Sequence, residues 1–178
     1  ALEEHADADA AAARTTAMVV RPPDRRATAF TTGTLRTAVA AWCSDAASAE
    51  ATYGHISDWD TSEVEDMSNL FTAGHVTVGS YCGDASVTFN EDITKWNTSK
   101  VTNMEFMFYY AAAFNQDISS WSVSQVTNMR YMVRGAAAFN QDISSWSVSQ
   151  VTNMQSMFYG AAAFNQDISS WSVSQVTN

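Results

Sequence analysis

Lysine is nearly missing from this sequence. Lys95 and Lys100 are the only two, and with seven arginines they stand against 19 acidic residues, for a formal net charge of -10. That balance argues against a groove that tracks nucleic-acid phosphates and against docking on anionic membranes. No nucleic-acid partner is expected. Proline occurs only as Pro22-Pro23, and the three histidines, His5, His55 and His75, keep no common period. Neither a Ser-His-Asp nor a Cys-His constellation can be argued, and no glycine-rich phosphate loop occurs. An enzyme is not expected, and no cofactor or metal is called for. No apolar run approaches the roughly 20 residues that cross a bilayer, so no membrane span is expected. Cysteine is limited to Cys43 and Cys82, whose spacing fits no zinc pattern. Low lysine with abundant Asp, Ser and Thr suits a secreted or surface protein. In that setting one disulfide between Cys43 and Cys82 is expected over two free thiols. The sequence opens on Ala1 with no basic n-region and no apolar h-region, so any targeting peptide is expected to have been removed or to lie outside it.

What is present is repetition. Phe114 to Gly135, FNQDISSWSVSQVTNMRYMVRG, recurs almost letter for letter from Phe139 to Gly160 and begins again at Phe164. Trp96, Trp121, Trp146 and Trp171 recur at a fixed 25-residue step, and Phe89, Phe114, Phe139 and Phe164 keep the same one. A looser copy runs from His55 to Phe71, displaced from the next by one period plus a 12-residue insertion within Thr72 to Thr88. Self-similarity at a fixed step means a solenoid, whose coils bury their core only by stacking.

The chain divides accordingly. Residues 1–27 are alanine-rich and then broken by Pro22-Pro23, and form an extended or partly helical arm. Residues 28–54 form an N-terminal helical cap: Leu35, Ala38, Val39 and Trp42 fall on one face of a helix beginning near Thr32, and Asp45 to Thr52 forms a second. Residues 55–178 hold the coils: 55–88 with the insertion, then 89–113, 114–138, 139–163 and an incomplete 164–178. The sequence stops where the next helix should begin, so either the chain continues or another molecule covers that end.

Within a coil, Trp121 and Val123 alternate with Ser122 and Ser124, the period of a short strand. Met129, Met132, Val133 and Ala136 then stand at i, i+3, i+4 and i+7, a helical face. Asn128 and its equivalents Asn103, Asn153 and Asp66 precede that face as helix N-caps, and Gly135 and Gly160 lie near its end. The fold class predicted is an α/β repeat solenoid, leucine-rich-repeat-like, with one short strand and one short helix per coil.

The repeat FNQDISSWSVSQVTNMQSMF resembles that of the BspA-like surface proteins, a leucine-rich-repeat-like group often recorded as a domain of unknown function. The resemblance covers roughly Thr31 to Asn178 and rests on the Phe-Asn-x-Asp-Ile, Trp-x-x-Ser-x-Val-x-x-Met and Met-x-x-Met-Phe elements. It implies a right-handed α/β solenoid and a role in adhesion or protein-protein contact. Departures are Val133 in place of the usual Phe, Asn97 or Ser in place of the usual Asp after Trp, and the unmatched residues 1–27.

Positions that vary between copies point to the working surface. Phe106, Tyr109, Tyr110, Tyr131, Arg134 and Tyr159 form a row on the side opposite the Met stripe, with the aromatic and arginine content of interface anchors. The alternative is packing between adjacent helices. Asp92, Asp117, Asp142 and Asp167 form an acidic column with two uses, calcium or hydrogen bonds in their own turns, and turn chemistry is favoured. Asn97-Thr98-Ser99 is a glycosylation sequon if the chain is exported. The function expected is a non-enzymatic scaffold for protein-protein interaction or adhesion at a cell surface or in an exported assembly. Its partner would be a protein or a surface glycan, with end-to-end or lateral self-association as a further mode. Alternatives are a carbohydrate-binding module and a structural subunit of a larger complex anchored by the N-terminal arm.

Overall fold

A computed structural model describes residues 29–74 and 79–178. The arm expected at residues 1–27, His5 and His75 lie outside the described residues. Helix α1 spans Thr32–Ser44. It starts at a reciprocal cap: the Thr34 N–H donates to the Thr31 hydroxyl and the Thr31 N–H to the Thr34 hydroxyl, which satisfies two otherwise orphaned donors. Leu35, Ala38, Val39 and Trp42 are all buried. Helix α2, Ala46–Tyr53, begins at Asp45, whose carboxylate accepts from the N–H and hydroxyl of Ser48. It ends at Gly54, φ +80°, whose N–H bonds the Glu50 carbonyl.

Cys43, near the end of α1, is disulfide-bonded to Cys82, with Cα atoms 5.2 Å apart. The bridge spans 39 residues, and it ties the insertion, including the 3-10 turn Gly83–Thr88, against α1. Trp42 of α1 meets Trp59 edge-on at 5.8 Å, and Tyr53 of α2 lies 6.3 Å from the same indole. Both helices thus close over the first ring of the tryptophan column.

The α/β solenoid with one strand and one helix per coil is overturned. Among the described residues there is no strand, and no α-helix follows Tyr53. The only β-type contacts among the described residues are isolated parallel bridges, Thr31 to Glu63 and the series Asp66, Asn103, Asn128 and Asn153. Trp121 and Val123 are buried as an alternating strand would have them, but the backbone there turns: the Trp121 and Val126 N–H groups bond three residues back, to Ile118 and Val123.

The Met stripe shows why the helical period misled. Met129, Met132, Val133 and Ala136 are all buried, as a helix would bury them. Yet the N–H groups of Met132, Arg134 and Ala136 bond three residues back, while those of Met129, Tyr131, Val133 and Gly135 reach the carbonyls of Asn153, Gln155, Met157 and Tyr159 in the next coil. A helix commits each interior N–H to its own i-4 carbonyl and leaves none for a neighbour. A helix of one or two turns is also marginal, whereas overlapping turns keep the same burial and free alternate donors for stacking. Asn103, Asn128 and Asn153 are correspondingly not helix caps. Each accepts from the N–H two residues on, at 3.0–3.1 Å, which is an Asx turn.

Side chains repeat the same stacking. Phe89, Phe114, Phe139 and Phe164 lie 6.2, 6.0 and 5.9 Å apart, ring to ring and nearly parallel. The indole N–H groups of Trp96, Trp121, Trp146 and Trp171 donate to the carbonyls of Ile56, Ile93, Ile118 and Ile143, each in the preceding coil. Thr127, Thr152 and Thr177 donate their N–H groups to the carbonyl of the equivalent threonine one coil earlier, at 2.9 Å. Phe164, Ile168 and Trp171 are partly buried and pack against the same core.

Phe139, fully buried, sits between two stacked rings. Phe139→Ala is predicted to cost about 3–5 kcal/mol, measured as the shift in urea unfolding. Equal midpoints for Phe139→Ala and the parent would rule out this column as the packing element.

Candidate functional site

The segments from Met104, Met129 and Met154 run side by side. Met104, Met107, Phe108 and Ala111 point inward, which leaves residues 105, 106, 109 and 110 and their equivalents on the outside. The expected row does assemble here. Phe106 lies 5.1 Å from Tyr109 and 4.9 Å from Tyr131, Tyr109 lies 4.6 Å from Tyr110 and 6.2 Å from Tyr131, and Arg134 stacks 5.1 Å from Tyr131 and 4.5 Å from Tyr159. Exposure within it is uneven. Tyr159 is 65% exposed and Tyr110 45%, whereas Phe106 retains only 9%. Phe106 is therefore packing beneath the patch; Tyr110 and Tyr159 are its outer rings.

Backbone geometry holds these rings in place. Phe106, Tyr110 and Tyr131 have φ of +57°, +54° and +57°, and Ser156 +50°. Left-handed conformations are costly for bulky residues, of order 1–3 kcal/mol each, and persist only when surroundings impose them. The imposing elements are the turn bond from the Tyr109 N–H to the Phe106 carbonyl and the inter-coil bond from the Tyr110 N–H to the Arg134 carbonyl. Gly135 and Gly160 occupy the position of Tyr110 one and two coils on, with φ +72° and +75°. They were expected to end helices; instead they close turns. Gly135 has a second constraint, since a Cβ there would sit 2.6 Å from Cδ1 of Tyr110.

Glu105 and Arg130 belong to the site and were not singled out in sequence. Arg130 donates to Glu105 at 3.1 Å and to Gln155 at 2.8 Å, and lies over the Tyr131 ring at 4.4 Å. The hydrogen bond to the Tyr131 hydroxyl, then that to Glu105, holds the Arg130 guanidinium above its ordinary value. Opposite charges at one repeat position in successive copies were the signal that could have found the pair.

The other candidates lie elsewhere. Asn97 is exposed in a turn, where its side-chain oxygen accepts from the Ser99 N–H. His55 bonds Ser57 through Nδ1 and packs edge-on to Trp42. Asp92, Asp117, Asp142 and Asp167 form an exposed column, and each accepts the N–H two residues on. Asp142, Asp167 and nearby serines line an open depression of ≈ 430 Å³. Among the described residues no three His, Cys, Asp or Glu are grouped to hold a metal ion. The hydroxyl and N–H of Thr94 and Ser119 hold Asp92 and Asp117 below the usual carboxylate range, as the N–H and hydroxyl of Ser144 and Ser169 do for Asp142 and Asp167. Neighbouring carboxylates oppose this weakly in Asp117 and Asp142.

A family model described as "Mycoplasma protein of unknown function, DUF285" matches residues 41–77 and 78–178. No curated protein and no solved structure matches the chain.

Two predictions come from this geometry. Gly135→Ala is predicted to destabilise by more than the roughly 1 kcal/mol of its positive φ alone, because it also meets the Tyr110 ring. In a Tyr110→Ala background the cost should shrink toward that value, and an unchanged cost would disprove the clash. For the Asp column, a folded pKa below the unfolded value of about 3.9 stabilises above that pH and is lost as pH falls through the folded pKa. The melting temperature should therefore fall below about pH 4, less steeply in Asp142→Asn, which keeps an acceptor but does not titrate. Parallel profiles would remove these carboxylates as the cause.

Proposed function

The chain belongs to the DUF285 family, and since that description leaves function open, we propose that it is a non-enzymatic repeat scaffold that binds a protein partner through the Tyr110, Tyr131, Arg134 and Tyr159 face. The observation that carries this reading is the exposure of Tyr110, 45%, beside an arginine held over the rings of Tyr131 and Tyr159. Tyrosine and arginine at the centre of such patches are the residues that most often anchor interfaces. A stack of coils suits the task, since each adds surface in register with the last.

The resemblance of the repeat to the BspA-like surface proteins supports adhesion or assembly at a cell surface or in an exported complex. The Cys43–Cys82 bridge supports an oxidising compartment. Among the described residues no helix is long and apolar enough to cross a membrane.

The test is a photo-reactive benzoylphenylalanine placed at Tyr159, or at Ser145 beside the acidic column, in the protein within its source cells. Discrete crosslinked protein products are expected from Tyr159 and not from Ser145. Tyr110→Glu with Tyr159→Glu should weaken recovery of the complex roughly tenfold or more. Products from Ser145 alone would sink the assignment.

A further inference from the structure

Five cationic side chains lie among the described residues, and four have a carboxylate partner: Arg36 with Asp66, Lys95 with Asp58, Lys100 with Glu63 and Arg130 with Glu105, at 2.7–3.1 Å. Arg134 has none there, in a chain whose acidic residues outnumber basic ones 19 to 9. It is not loose. Its guanidinium is held over Tyr131 and Tyr159, and its Nε, like that of Arg36, is buried with no hydrogen-bond acceptor. A desolvated N–H without an acceptor is destabilising, and arginine's fork fits a carboxylate through two parallel bonds.

We infer that Arg134 is the anchor of the patch and receives an Asp or Glu side chain of the partner protein, with Tyr110 and Tyr159 packing on apolar surface beside that carboxylate. The bound carboxylate pairs with the guanidinium end, which has no carboxylate partner among the described residues, while the two rings pre-set it so that little side-chain freedom is lost on binding. The net charge of -10 repels a strongly acidic partner at long range, so the chemistry favoured is one carboxylate in an aromatic or aliphatic setting rather than an acidic run. This inference rests on the protein-binding role proposed above.

The test pans a random 12-residue peptide library displayed on phage against the whole chain, followed by binding measurements with synthetic peptides. Selected peptides should carry a single Asp or Glu beside an apolar residue. Arg134→Gln and Arg134→Lys should each weaken binding about tenfold or more, as should changing the peptide's acid to its amide. The amide peptide is read on the unaltered protein, so the result stands even if an Arg134 variant is unstable. If binders are lost on Tyr159→Glu but indifferent to Arg134→Gln and to the amide change, the carboxylate anchor is wrong and the face still binds protein. If no peptide depends on Tyr159, both fall. If a glucuronate oligosaccharide binds in an Arg134-dependent way and no peptide does, the partner class is overturned in favour of an acidic glycan.

Discussion

The division of backbone donors between a coil and its neighbour is the constraint on which the repeat region depends. In the Met129 to Ala136 segment, alternate N–H groups bond within the coil and across to the residues beginning at Asn153. Here a run of short turns with a left-handed residue in it points successive donors both ways. The fixed repeat step follows, because a crossing bond finds its acceptor only if the next coil presents the same turn at the same height. Recurrence of Phe, Ile, Trp and Asn is the side-chain counterpart: parallel phenylalanine rings about 6 Å apart need a ring in the next coil, and indoles bonded to isoleucine main-chain carbonyls need the preceding coil's backbone at a fixed height.

That regularity separates positions free to vary from those that are not. Inward residues are tied to the columns, whereas 105, 106, 109, 110 and their equivalents project from turns whose backbone is already satisfied. Variation at these sites gathers rings and guanidinium groups on one face without disturbing the stack. Tyr110 lying against Gly135 is the exception that shows the rule, since one coil's large ring requires the next coil's missing side chain.

The error over the fold has a physical source. Burial at i, i+3, i+4 and i+7 records which side chains face inward, and a helix and a succession of three-residue turns satisfy it equally. Backbone partners decide between them, and half of those partners lie a full coil away along the chain, outside any local window. Asn128 misled for the same reason, because an Asx turn and a helix N-cap use one acceptor in nearly one geometry. Phe106 belongs to the outer row in sequence yet lies beneath Arg130 and Tyr131, a covering that depends on the next coil's side chains. In α1 no such ambiguity arises, since its apolar stripe lies on a single 13-residue helix long enough to use its own donors.

By itself the sequence determined the repeat length, which residues form the interior columns, the first helix with its buried face, and the set of variable aromatic and arginine positions. Each of these is written as periodicity or as a comparison of copies. Tertiary structure alone decided that the coils are built of turns, that Tyr110 is an outer ring while Phe106 is covered, and that among the described residues Arg134 lacks a carboxylate where Arg130 has one. These outcomes depend on contacts between neighbouring coils, and the distance from one coil's side chain to the next appears only once the coils are stacked.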